Sequence, residues 1–334
     1  MESERMTRVM GIVNVTPDSF SDGGKYFRPE EAVRRALNLI DDGADIIDIG
    51  AESTRPGSVP ISWEEEWSRL EPVFKGLSPR GCPRRKGLSP QSVSVQSDLD
   101  DRANLLQKDN SAKNKDKISV ITEGSVPTSA VPEGPVPRDA EGSVPISVPI
   151  SVDTYHPETA RLAVESGASI INCVYPEPIG EMLEILRENP NVELVMPASA
   201  WEMRDERWVM RDERWVMRDE RWVMGDERWG MGDLASRIYI DPMIGFGTTR
   251  EEDLELLRSV PELAKKARVL VGASRKRLVK KLTGEKVTGK NLGGNLGIAV
   301  WAAMNGASVV RVHDVRETFQ ALKVIGAICG RICG

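Results

Sequence analysis

Short apolar runs rich in β-branched residues recur along the chain. Each is followed by a longer segment in which apolar positions return at helical spacing. The short runs fall at 8–15, 45–50, 149–153, 169–174, 191–197, 237–241, 268–272 and 307–312. Their continuous apolar character suits strands buried on both faces. The helical pattern covers 29–42, 62–76, 156–166, 178–188, some part of 201–236, then 250–266, 291–304 and 314–328. Pro29 opens the first of these, and Thr249 stands before Arg250-Glu251-Glu252 as a capping residue before early acids. Gly43, Gly167 and Gly306 each close a helix ahead of a strand, where a left-handed residue is wanted. Eight strands alternating with eight helices predict an α/β fold, a (β/α)8 TIM barrel with a low-complexity insertion. The barrel takes residues 6–77 plus 150–328.

Two stretches break the pattern. Residues 78–148 are rich in Pro, Ser, Gly and charge, and repeat short phrases: GSVPIS at 57–62 returns at 142–147, with GSVPTS at 124–129. Too few apolar positions recur there to offset the entropy of ordering, so a disordered insert is expected. Removing about 70 residues leaves roughly 265, near the usual barrel size of about 250. The second stretch, 201–231, is a heptapeptide tandem array, with Trp201, Trp208, Trp215, Trp222 and Trp229 seven apart. On a helix at about 100° per residue, its Trp, Val and Met point in three directions, with Asp and Glu between them. Its arginines line up at spacings of three and four, where like charges repel. The expectation is a helix with a conflicting pattern, or a frayed segment, produced by local duplication.

Charge narrows the function. With 51 acidic against 45 basic residues, the chain carries a net charge of −6 and no basic domain, which argues against a nucleic-acid partner. The charged start MESERMTR has no secretory apolar core. The uncharged run Asn291–Val310 is cut by glycines, so it reads as a buried helix and strand and gives no membrane span. Four scattered cysteines imply no disulfide scaffold. A cytoplasmic protein is expected.

In such a barrel the chemistry lies at the carboxyl ends of the strands. Seven of the eight ends carry polar groups: Asn14 and Asp18, Asp48 with Thr54-Arg55-Pro56, Asp153, Asn172, Asp241, Ser274-Arg275-Lys276, and Arg311 with His313. Asp153, Asn172 and Asp241 suit the in-plane hydrogen bonds of a flat heterocycle. Arg55, Arg275, Lys276, Arg311 and His313 suit an anion such as phosphate. Arg311 and His313 share one face of their strand. Asn14 and Asp18 offer oxygens to a magnesium ion that also binds phosphate. The glycines around Phe246 suggest a tightly turned loop. No phosphate-binding Gly-Lys-Thr loop or dinucleotide fingerprint is present. His156 reads as a surface or cap residue.

These residues sit in stretches that resemble the dihydropteroate synthases: MGIVNVTPDSFSDGG at 10–24, GADIIDIGAESTRPG at 43–57, ISVDTYHPETA at 150–160, GASIIN at 167–172, DPMIGFG at 241–247, VGASRK at 271–276 and GASVVRVHDV at 306–315. The resemblance covers the ordered sequence but neither the insert nor the array. It implies condensation of 6-hydroxymethyl-7,8-dihydropterin diphosphate with p-aminobenzoate or a related arylamine, giving dihydropteroate and diphosphate. It implies that Asp153, Asn172, Asp241 and Lys276 hold the pterin. Asn14, Arg311 and His313 would hold diphosphate and Mg2+. Thr54, Arg55, Pro56, Phe246 and Ser274 would border the aminobenzoate, with Arg275 near its carboxylate. A homodimer is expected by analogy.

The chain departs from the family pattern in four places. Gly50-Ala51 stands where Gly-Gly is usual, Asn172-Cys173 where Asn-Asp is frequent, Met196-Pro197-Ala198-Ser199-Ala200 where bacterial members carry Met-His-Met-Gln-Gly, and Thr248 where lysine is frequent. These changes bear on acceptor identity. The alternatives are a pterin-binding methyl-transfer domain, which would not need Thr54-Arg55-Pro56 or the Arg311/His313 pair, and a non-catalytic pterin-binding scaffold.

Overall fold

The computed structural model describes residues 7–16, 29–52, 58–79, 143–202, 208–211, 214–217, 234–285, 287 and 289–330. Eight parallel strands close into a barrel: β1 (Arg8–Asn14), β2 (Ile46–Gly50), β3 (Ile150–Asp153), β4 (Ile170–Asn172), β5 (Glu193–Pro197), β6 (Ile238–Asp241), β7 (Arg268–Val271) and β8 (Val309–Val312). Each pairs with its sequence neighbours, and β8 returns to β1 through Arg8↔Val309 to Gly11↔Val312. Around them run α1 (Pro29–Asp41), α2 (Trp63–Gly76), α3 (Pro157–Glu165), α4 (Ile179–Glu188), α5 (Ala198–Glu202), α6 (Arg250–Ala264), α7 (Arg277–Thr283), α8 (Leu292–Met304) and α9 (Val315–Ile328). All eight expected strands are present within two residues of their expected bounds. The run after Asn291 is indeed a helix and a strand, and no helix among the described residues is long and apolar enough to cross a membrane.

Two apolar layers explain why the strands read as unbroken apolar runs. Outward residues such as Val9, Ile47, Val152, Leu194, Ile240 and Val310 pack under the helices. Inward residues Met10, Ile46, Ile170, Val195, Tyr239, Leu270 and Val309 fill the barrel waist as a second cluster. Every strand but β3 puts a residue into this second cluster, so both faces of those seven strands are dry there. Below the waist, Arg268 lies 3.7 Å over the Tyr239 ring and donates to Glu193 at 2.6 Å, while Arg8 also meets Tyr239 and Glu193. This paired lattice closes the amino end, leaving the carboxyl end for a ligand.

The capping expectations hold. Thr249 forms a full capping box with Glu252, and Gly43, Gly167 and Gly306 have φ of 102°, 108° and 90°. A Cβ on Gly43 would come within 2.7 Å of the Phe319 ring. Gly43→Ala therefore combines a left-handed backbone with overpacking, and an expected loss of about 1–3 kcal/mol should appear as a lower urea midpoint.

Two expectations need correction. The described stretches of the array are extended and not helical: Trp208–Arg211 pairs antiparallel with Arg214–Met217. Trp and Val favour extended backbone, and the heptapeptide offers no single helical face to bury. The rest of 203–233 lies outside the described residues. The insert begins and ends inside ordered structure, because Leu77–Pro79 pairs in parallel with Val144–Ile146, where Val144 and Ile146 are buried. The expected disorder of 80–142 falls outside the described residues. The polar Ser274-Arg275 end of β7 leads into α7, which follows Lys276 and ends at Gly284, whose φ is 73°.

Candidate active site

Strand register builds the floor of the carboxyl mouth. Asn14 pairs with Gly50, Gly50 with Asp153, and Asp153 with Asn172, so one row crosses β1 to β4. Gly50 leaves room in that row, since a Cβ there would sit 3.0 Å from the Asp153 Cβ. Two residues deeper on β2 lies Asp48, fully buried. Arg311 reaches across from β8. Its Nε donates to Asp48 Oδ2 at 2.6 Å and its Nη2 to Asp153 Oδ2 at 2.5 Å. Asn172 donates to the same Asp48 oxygen at 3.3 Å. Asp48 Oδ1 and Asn172 Oδ1 are buried with no hydrogen-bond partner. Unpaired buried acceptors are expensive, which marks them as partners for a ligand's N–H groups.

The electrostatics are those of charge held in a dry place. Burial pushes the Asp153 carboxyl up to about 7; Arg311 opposes the shift, and Asp48 and Glu66 add to it. Burial also works against the Arg311 charge, but Asp48 and Asp153 outweigh it and keep the guanidinium protonated. Asp241, at the end of β6, is likewise raised by burial, with Lys276 and the Met243 N–H opposing. Its Oδ1 accepts from Met243 N at 2.7 Å. The Lys276 ammonium is lowered to about 8 by burial, which Asp241 partly offsets. It donates to the Ile244 carbonyl at 2.5 Å and lies 4.2 Å over the Phe246 ring. The Phe246 loop is fixed by Gly245 N, which donates to Asp253 Oδ1 at 2.6 Å, and by Thr248, whose side chain meets the same carboxylate.

Above this floor sits a cationic rim. His313 follows Arg311 by two residues, and its Nδ1 lies 3.2 Å from Ser274 Oγ. Burial, then Arg275 and Arg311, lower its imidazole to about 3, so it is neutral at pH 7. The same positive field that disfavours an imidazolium favours an incoming anion. Arg275 pairs with Asp314, and its backbone N–H donates to Asn295 Oδ1 at 3.1 Å. Arg35 on α1 donates to the His313 carbonyl at 3.0 Å. Met243 and Arg275 have φ of 68° and 60°, and each follows a barrel strand directly at the mouth. Left-handed non-glycine residues cost about 1–2 kcal/mol each and persist where surrounding structure holds them, as at binding sites.

Of the residues singled out from sequence, Asn14, Asp153, Asn172, Asp241, Phe246, Ser274, Arg275, Lys276, Arg311 and His313 all lie at this mouth. Thr54, Arg55 and Pro56, with Asp18, lie outside the described residues. Sequence reading gave no role to Asp48, Asn295, Asp314 or Arg35. Asp48 was visible as an acid in an otherwise apolar strand, and Asn295 as a polar residue in an apolar helix; their partners come from distant segments. Cys173 is buried, donates to the Tyr175 carbonyl at 3.3 Å and is pushed up to about 12 by burial, so it is an inert thiol. Among the described residues no group of three or more His, Cys, Asp or Glu side chains is placed to hold a metal. Asn14 offers one oxygen there, which fits an ion that arrives largely coordinated by substrate phosphates.

Comparison with known proteins agrees with this geometry. The family described as "Pterin binding enzyme" matches residues 10–83 and 139–313. A dihydropteroate synthase of Neisseria meningitidis serogroup B is 30% identical over 96% of this chain and 92% of its own length. A mitochondrial folate synthesis bifunctional protein of Arabidopsis thaliana is also 30% identical, over 97% of this chain and 50% of its own length. Among solved structures, Xanthomonas albilineans dihydropteroate synthase with 4-aminobenzoic acid is 29% identical with a TM-score of 0.65, covering 97% of this chain and 93% of that one. The same enzyme in complex with 7,8-dihydropteroate gives 27% identity and a TM-score of 0.62 over 98% and 95% of the two chains.

Proposed function

The chain belongs to the pterin binding enzyme family, among the dihydropteroate synthases, and from that premise we propose how its own residues carry the reaction. The protein is a transferase that joins 6-hydroxymethyl-7,8-dihydropterin diphosphate to p-aminobenzoate. The methylene C–O bond breaks with its electron pair leaving on diphosphate, the amine lone pair forms the C–N bond, and the amine proton leaves to water.

Asp153, Asn172 and Asp241 read the amino and lactam edges of the pterin, and Lys276 donates to its carbonyl side. The buried acceptors Asp48 Oδ1 and Asn172 Oδ1 support this reading. As the C–O bond lengthens, positive charge grows on the pterin methylene and negative charge on diphosphate. The carboxylates on the floor face the first, and the cationic rim faces the second. His313, neutral and oriented through Ser274, supplies a hydrogen bond to a phosphate oxygen. Magnesium, held by Asn14 and the phosphates, would add charge stabilisation at the leaving group. The arylamine approaches along Ser274, Phe246, Arg275 and the Thr54-Arg55-Pro56 segment. The electrophile is reactive enough that no side chain need deprotonate the amine first.

The observation that carries this is Arg311. One guanidinium ties together two floor carboxylates and, through its strand, places His313 at the rim. The test is steady-state diphosphate release with pterin diphosphate, magnesium and a panel of aminobenzoates. Release should require both the arylamine and magnesium, and Asp241→Ala should lower kcat/KM at least about a hundredfold by leaving pterin donors unpaired. No release with any arylamine would overturn the reading.

We also propose a cytoplasmic homodimer. Trp301 and Met304 on α8, and Val324 and Ile328 on α9, are large apolar side chains left exposed on adjacent helices, which supports a self-complementary contact. Sedimentation should give a dimer that Met304→Lys with Ile328→Asp converts to a monomer.

A further inference from the structure

α8 is built of glycine and apolar residues except for one amide, Asn295, in its first turn. Gly294 lets the helix start close against α7, since a Cβ there would come within 2.7 Å of Val279 and 2.8 Å of Thr283. The Asn295 side chain is buried, and both ends of its amide are partnered. Oδ1 accepts from the Arg275 backbone N–H at 3.1 Å, and Nδ2 donates to Asp314 Oδ2 at 3.4 Å. An N–H on one side and a carboxylate on the other admit only this orientation of the amide. The other Asp314 oxygen pairs with the Arg275 guanidinium. Asp314 can take both partners because it is the N-cap of α9 yet makes no side-chain cap bond. One amide thus holds Arg275 twice, by its backbone and, through Asp314, by its side chain. The backbone hold falls where Arg275 has its left-handed φ of 60°.

The geometry points to Asn295 as a positioning residue through which Arg275 selects an acceptor that carries a carboxylate. Arg275 Nε is buried with no hydrogen-bond partner, so the guanidinium keeps a donor for an incoming anion. A forked donor grips a carboxylate well only where its plane is fixed, and fixing it beforehand spares the ordering cost on binding. Asp314 alone would fix one end of the side chain. Asn295 fixes both the backbone from which that side chain springs and the carboxylate with which it pairs. The proposal rests on the reading that Arg275 lies near the acceptor's carboxylate.

The full chain carrying Asn295→Ala or Asn295→Leu tests it, with p-aminobenzoate compared against p-aminobenzamide, which lacks the carboxylate. Leucine is close to asparagine in size, so it serves if alanine fails to fold. The quantity read is the ratio of kcat/KM for the two acceptors. Losing the Asn295 bonds should lower that ratio about three- to tenfold, the worth of one net hydrogen bond, chiefly through the p-aminobenzoate KM. Added to Arg275→Leu, the same substitution should change the ratio no further, because the two side chains act as one unit. A merely structural role would lower both acceptors alike and leave the ratio where it was. That outcome, or an undiminished ratio in Arg275→Leu itself, would overturn the proposal. If the unaltered chain joins neither acceptor to the pterin, it is the reaction assignment that fails, which separates the two claims.

Discussion

Arg311→Leu is expected to abolish diphosphate release and to lower stability by about 3–5 kcal/mol, the usual cost of stripping one partner from a buried ion pair. In the folded chain the Arg311 guanidinium contacts Asp48 at 2.6 Å and Asp153 at 2.5 Å. Without it two carboxylates face each other in a dry barrel with no cation between them. Stability should recover in part when Asp48→Asn is added, because one of the orphaned charges goes, but turnover should not. Arg311→Lys keeps a charge yet cannot fork between two acceptors, so it should fall between the other two in both respects. Urea unfolding alongside the release assay reads both quantities. An Arg311→Leu protein with unchanged midpoint and rate would remove the floor triad from the mechanism.

Lys276 gives the second large effect, and its two consequences run in opposite directions with pH. In the folded chain its ammonium titrates near 8, against an ordinary value of 10.5. Between those values the unfolded chain binds more protons than the folded one. Stability should therefore rise as pH rises from about 8 to about 10.5, by roughly 2–3 kcal/mol once water reaching the half-buried stem is allowed for. Function should move the other way: kcat/KM for the pterin substrate should fall above about pH 8 as the donor loses its proton. Lys276→Met should lack both slopes. A rising stability limb that survives in Lys276→Met would assign it to another group.

The barrel was legible because its strands, β3 apart, are dry on both faces. That dryness writes β-branched runs into the chain, and the helix caps at Thr249, Gly43, Gly167 and Gly306 are local events needing no distant partner. The mouth was legible for a related reason: alternation along a strand and the parallel direction of all eight strands send Asn14, Asp153, Asn172, Asp241 and Arg311 to one end. That the heptapeptide offers a helix no single face to bury was legible in the sequence; the antiparallel pairing of Trp208–Arg211 with Arg214–Met217 was not. His156 does stand at the N-cap of α3, as a histidine before a helix suggests, but its ring partners, Glu52 and Ile61, lie about a hundred residues away in sequence and could not be read locally.

The sequence by itself thus determined the element order, the closed sheet and the chemical inventory of its mouth, since each follows from local periodicity and strand direction. Only the tertiary structure decided which carboxylates share Arg311, that His313 is held neutral, and that Arg275 answers to Asp314. Those depend on burial and on distances between segments far apart in the chain. Charge interactions fall off with separation and strengthen in dry surroundings, so they exist only once the barrel has closed.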